Sequence, residues 1–171
     1  MYLANRKTFL CALLVLIWAC AHFTFAQGAL LFLGEVNANN INVRCDSTPN
    51  SEVIYTLNKG VRVEVVREFF EWYKIRLLKT APSYIKKRFV ACLDETAQPV
   101  CRNARVINDR VNVRLKPSES SAILGKADKT DPVVILEQEK GWYKIEPIAK
   151  SFGWINKKFV NKLAETEEKT E

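Results

Sequence analysis

The strongest constraint on this chain is that it repeats itself. Ile41-Asn42-Val43-Arg44 recurs as Val111-Asn112-Val113-Arg114, seventy positions on. Trp72-Tyr73-Lys74-Ile75 recurs at the same offset as Trp142-Tyr143-Lys144-Ile145. Tyr84-Ile85 and Phe89-Val90 return as Trp154-Ile155 and Phe159-Val160, and no gap is needed between Val36 and Leu93. A period of this kind marks a duplicated structural unit. It replaces the usual prior of one domain for 171 residues. The reading is two repeats, 35–93 and 104–163, joined by a linker at 94–103. Units of about sixty residues bury a modest share of their surface, so contact between them or a disulfide would help each to fold.

Each repeat reads as short strands separated by turn signals. Val61, Val63 and Val65 alternate with Arg62 and Glu64, giving one buried and one wet face. Asp46–Ser51 and Lys116–Ser121 are loops by composition, and Asn58-Lys59-Gly60 is a turn. No helical period intervenes. Five short strands in fewer than sixty residues favour a small closed barrel, which removes most strand edges. The fold expected is all-β: two tandem five-stranded barrels behind an N-terminal signal segment.

Residues 1–26 read as a secretory signal, with Arg6 and Lys7 ahead of the uncharged apolar run Phe9–Ala21. Cleavage after Ala26 is the preferred reading. Lipidation at Cys20 and an uncleaved anchor are the alternatives, and only these would place the chain on a membrane. All three put the repeats outside the cytoplasm, either periplasmic or secreted. Residues 164–171, rich in glutamate, read as a disordered acidic tail. The formal charge is +7, which favours anionic partners or simply solubility.

Export gives the cysteines meaning. Cys45, Cys92 and Cys101 follow the signal, enough for one disulfide in an oxidising compartment. Cys92–Cys101 would staple the linker, Cys45–Cys92 is the alternative, and three free thiols remain open.

At this point the residues resemble a known family. Val-Asn-Val-Arg, a Pro/Ser loop, Ile-Leu-Gly, alternating valines, Gly-Trp-Tyr-Lys-Ile, Gly-Trp-Ile and Phe-Val stand in the order found in the bacterial SH3-like domain. The first repeat departs at Glu71, Ser83-Tyr84 and Tyr55. The resemblance implies five-stranded barrels in extracytoplasmic proteins. These often accompany cell-wall hydrolases or sensors, and some bind peptidoglycan.

His22 is the only histidine and lies in the signal. The remaining chain therefore lacks the means for Cys-His, Ser-His-Asp or histidine-bound zinc chemistry. No catalytic, metal or cofactor site is expected. The expected function is a non-enzymatic binding module whose partner is a cell-wall polymer such as peptidoglycan. The alternative is a protein-interaction or sensor accessory contacting another envelope protein, possible also as a lipoprotein. Export disfavours nucleic acid.

Adjacent Trp and Tyr on a strand face opposite sides. If the tryptophans fill the core, Tyr73 and Tyr143 become the better ligand contacts. Tyr55, Tyr84 and Trp154 are further aromatic candidates. Lys87, Arg88, Lys157 and Lys158 form a basic cluster at the closing turns, suited to an anionic polymer or merely solvated. Arg44 and Arg114 read as structural. Phe69 and Phe70 make one hairpin tip unusually apolar, where the second repeat has Glu139 and Lys140.

Overall fold

A computed structural model describes residues 30–93 and 101–164. The expected signal with Cys20, residues 94–100 of the expected linker and the tail from 165 lie outside the described residues.

The described chain is all-β. Its strands are β1 Phe32–Val36, β2 Ile41–Arg44, β3 Val53–Leu57, β4 Arg62–Phe69 and β5 Trp72–Arg76. There follow β6 Tyr84–Lys86, β7 Val90–Cys92, β8 Asn103–Val106, β9 Val111–Arg114 and β10 Ile123–Ala127. The last are β11 Pro132–Glu139, β12 Trp142–Ile145, β13 Phe152–Asn156 and β14 Val160–Lys162. Single 3₁₀ turns at Lys87–Phe89 and Lys157–Phe159 precede β7 and β14. The alternation in the sequence sets the faces: Val63 and Val65 of β4 are buried, Arg62 and Glu64 exposed. The paired arginines are structural. The guanidinium of Arg44 donates to the Ser51 carbonyl and that of Arg114 to Ser121, each at 2.7 Å, pinning the loop that follows.

The strands form two seven-stranded sheets with the same layout. Unit 1 runs β3-β2-β13-β5-β4-β1-β14 and unit 2 runs β10-β9-β6-β12-β11-β8-β7. Neither is the product of one repeat. β13 and β14, from the second repeat, sit beside β5 and β1 of the first. β6 and β7, from the first repeat, sit beside β12 and β8 of the second. The repeats have exchanged their closing segments. This corrects the expectation of two five-stranded barrels, each closed by its own repeat, although the sheets remain consistent with SH3-like barrels. The first strand also starts earlier than expected, at Phe32, and β8 begins inside the expected linker, at Asn103.

The chain passes from unit 1 to unit 2 through 77–83 and returns through 146–151. Both segments carry a proline, Pro82 and Pro147. Both bury apolar side chains, Leu77 and Ala81 in the first and Ile148 in the second. Burying a Leu or Ile contributes about 1.5–3 kcal/mol, so each passage has its own reason to stay packed. The carbonyls of Ser83 and Ser151 accept from Ile145 N at 2.8 Å and Leu77 N at 3.0 Å, joining the ends of each passage to the sheets. The second passage runs so close to β10 that a Cβ on Gly125 would lie 2.2 Å from the Lys150 carbonyl oxygen. At the matching position of repeat 1, the Tyr55 hydroxyl accepts from Leu78 N at 3.4 Å.

Each unit has its own core. Ile155 and Val160 complete the core of unit 1, and Ile85 completes that of unit 2. Leu115 and Leu124 of the second repeat join the core cluster of unit 1, so the units share apolar contact. Lys116 and Glu52 pair across the same junction at 2.6 Å. Cys92 and Cys101 are bonded, with Cα atoms 5.9 Å apart, and the bridge ties the end of β7 to the chain just ahead of β8. A bridge across nine positions contributes on the order of 2–3 kcal/mol. Cys45 is free and half-buried, so it does not bridge to Cys92.

Candidate functional site

The side chains of Ile75 in β5 and of Leu77 just after it are buried, which turns Trp72, Lys74 and Arg76 to the outer face of unit 1. β13 adds Phe152, Trp154 and Asn156 through the register Phe152↔Arg76, Trp154↔Lys74 and Asn156↔Trp72. A register shift between Val65 and Arg67 in β4 brings Arg67 opposite Lys74 and Phe69 opposite Trp72. One outer face therefore combines residues of both repeats.

At one end of this face is an open groove of about 280 Å³, walled by Trp72, Ile41, Arg44, Pro49, Asn156 and Lys158. The Asn156 side chain accepts from Lys158 N at 3.2 Å and so fixes the turn that carries Lys158. Trp72 is partly exposed here. Its aromatic face, the amides of Asn42 and Asn156 and the Lys158 ammonium, 4.8 Å from the Phe159 ring centroid, suit a ligand with apolar patches and hydrogen-bonding groups.

The same place in unit 2 is bridged. Lys86 occupies the register position of Asn156, opposite Trp142. Glu119 occupies that of Pro49 in the repeat. Lys86 and Glu119 form an ion pair, and the Lys86 ammonium lies 5.5 Å from the Trp142 ring centroid. Trp142 is only 7 % exposed. Two near-identical sheets thus present one open groove and one covered.

The sequence candidates scatter over this frame. Tyr73 does not line the groove: it packs edge-on against Phe32 at 5.1 Å, beneath the Lys157 ammonium at 5.5 Å. Tyr143 is covered in the same way by Lys87 at 5.3 Å. In unit 1 the tryptophan, and not the tyrosine, faces outward, because Tyr73 shares the side of Ile75. Tyr55 belongs to the passage between units, and burial pushes its hydroxyl up to about 12, against the opposing hydrogen bond from Leu78. Trp154 lies on the outer face of unit 1, Tyr84 on that of unit 2. Lys158 lines the groove, Lys157 pairs with Glu68, and Arg88 is exposed beside Phe89. Trp72, Asn156, Lys74 and Phe152 are placed at the site by structure alone. For Asn156 and Phe152 the signal was available as positions where the repeats disagree, against Lys86 and Pro82, whereas Trp72 and Lys74 recur unchanged as Trp142 and Lys144.

Among the described residues no group of three or more His, Cys, Asp or Glu side chains gathers as a metal site, and no helix is long and apolar enough to cross a membrane.

Comparison with known families finds a likeness over one segment. Residues 109–161 match the family model of the bacterial SH3 domain. The matched bacterial SH3 span is divided in space, since β9–β12 lie in unit 2 and β13 and β14 in unit 1. The chain is also similar to the protein named "Putative N-acetylmuramoyl-L-alanine amidase YrvJ" of Bacillus subtilis (strain 168), 26% identical over 120 residues. That similarity covers 66% of this chain and 23% of the relative, so the chain spans about a quarter of the relative's length.

Proposed function

We propose that this chain is a non-enzymatic, extracytoplasmic binding module that holds a segment of cell-wall peptidoglycan in the Trp72 groove of unit 1. The observation that carries this reading is the contrast between the open groove at Trp72 and the bridged one at Trp142. A groove kept free of the ion pair that closes its twin is the one available to a ligand. The bacterial SH3 match and the relative named "Putative N-acetylmuramoyl-L-alanine amidase YrvJ" support the wall as the source of the ligand and a place outside the cytoplasm. Peptidoglycan supplies both apolar sugar faces and amide groups for Trp72, Asn42 and Asn156. One site instead of two gives modest affinity without avidity.

The test is co-sedimentation of Gln27–Glu171 with purified sacculi across a salt series. Binding is expected to survive high salt and to fall about tenfold in Trp72→Ala, equivalent to about 1.4 kcal/mol. Binding lost with salt and indifferent to Trp72 would leave only a basic surface. No binding at any salt would overturn the reading and favour an envelope protein as partner, a role to which the Phe70 ring, 77 % exposed at a hairpin tip, is suited.

A further inference from the structure

The outer face of unit 1 continues beyond the groove into a cluster of unusual charge. Arg67 of β4 stands directly opposite Lys74 of β5. Like charges placed opposite one another across a ladder repel. Neither makes an ion pair among the described residues. Burial, and then the nearby Arg67, lower the pKa of the Lys74 ammonium. Unit 2 shows what the sheet does when these positions are only structural: Glu137 stands opposite Lys144, and they pair at 2.7 Å. Unit 1 has the opposite charge at that one position.

Aromatic rings surround the two cations. The Lys74 ammonium lies 4.7 Å from the Phe152 ring centroid and 5.8 Å from that of Trp154. The Arg67 guanidinium lies 6.0 Å from the Phe69 ring, which meets Trp154 edge-on at 6.2 Å. In unit 2 the corresponding residues are Pro82, Tyr84 and Glu139. The hairpin tip beside this cluster is strained as well. Phe70 has a φ of 46°, a left-handed backbone that a bulky residue rarely adopts, whereas unit 2 places Gly141 at its tip with a φ of 75°. An unrelieved repulsion, rings on three sides and a strained apolar tip coincide in one unit and are missing from its twin.

We propose that Arg67 and Lys74, together with Phe69, Phe152 and Trp154, form a subsite for a carboxylate-bearing sugar. The carboxylate sits between the two cations and relieves their repulsion. The C–H face of the sugar ring packs on Trp154, and Phe69 and Phe152 exclude water at the margins. This goes beyond the groove reading and does not rest on it, since the two sites share β5 and β13 but no side chain.

The test is calorimetric titration of Gln27–Glu171 at low ionic strength with oligogalacturonate, its neutral methyl ester and poly-L-glutamate. Oligogalacturonate is expected to bind at least about tenfold more tightly than either control. Arg67→Glu installs the residue that unit 2 carries, with its ion pair to the opposing lysine, so the sheet is preserved while the anion site is lost. It is expected to weaken binding about tenfold or more. Trp154→Tyr, again the residue of unit 2, is expected to weaken it several-fold, and Lys158→Ala in the groove to change it less than about twofold. Equal binding of poly-L-glutamate, indifference to Arg67→Glu, or no binding of oligogalacturonate would each overturn the proposal. Failure of sacculus binding in Trp72→Ala, with oligogalacturonate still bound, would concern the groove alone.

Discussion

Trp154 lies opposite Lys74 in a single sheet, although one belongs to the second repeat and the other to the first. In the reading of each repeat as a self-closing barrel, the neighbour of Lys74 would be Tyr84. The pairing of these residues therefore reports the exchange directly. Nuclear Overhauser contacts are expected from the Trp154 indole to the Lys74 methylenes, and from the Tyr84 ring to Lys144. Contacts from Tyr84 to Lys74 in the monomer would mean that each repeat closes on itself.

Gly125 marks where the returning passage touches β10. Replacing it with tyrosine, the residue of repeat 1, would drive a side chain into the backbone of Lys150 and Ser151. Backbone cannot swing aside as a flexible side chain does. Gly125→Tyr is expected to cost about 1–3 kcal/mol or more in urea unfolding. An unchanged midpoint would show that the passage does not lie there.

The covered groove of unit 2 should be convertible. Lys86→Asn with Glu119→Pro reproduces the frame around Trp72. In Gln27–Glu171 with Trp72 and Trp154 replaced by tyrosine, which removes Trp18 as well, the fluorescence of Trp142 then reports its own exposure. Acrylamide quenching of Trp142 is expected to increase by about twofold once the ion pair is removed. Quenching that does not change would show that the sheet itself, and not the pair, covers the ring.

Cys45 offers a pH test. Burial first, then the Glu52 carboxylate, push its thiol up to about 11 from 9.0, with Lys116 opposing. Fewer thiolates mean slower alkylation, by about 100-fold at pH 8 relative to the unfolded chain. Because the folded state holds this proton more tightly, the contribution to stability is complete below pH 9.0 and is lost as the pH rises through about 11. Alkylation of Cys45 by iodoacetamide under native conditions at the unfolded rate would show an open thiol.

The repeat was legible in the sequence because core-facing residues recur: Val43 and Val113, Ile75 and Ile145, Ile85 and Ile155 are all fully buried. The exchange was not. Trp72 meets Asn156 in the way that Trp142 meets Lys86, so the register is the same whichever repeat provides the closing strand. Pattern alone cannot choose between partners that are equivalent by duplication. The site was half legible. Alternation across Trp72 and Tyr73 implies that one faces inward, but which one depends on Phe32, whose ring receives Tyr73 and which lies ahead of the expected start of the repeat. The register shift at Val65 and Arg67, which aligns Arg67 with Lys74, leaves no mark in the hydrophobic pattern. The contrast Arg67 against Glu137 was visible, yet it gains meaning only when each is known to face a lysine.

The passages at 77–83 and 146–151 also set an order in time. Unit 2 is continuous in the chain from β6 to β12, whereas unit 1 opens the fold and still lacks β13 and β14 until the end. As the chain emerges from the ribosome or a translocation channel, the sheet begun first is finished last. β1 to β5 must wait, with an unpaired edge at β5, while an entire second sheet is completed. The Trp72 groove comes into being only with the last strands, so a chain cut short before Phe152 lacks the proposed site, whatever else of it has folded.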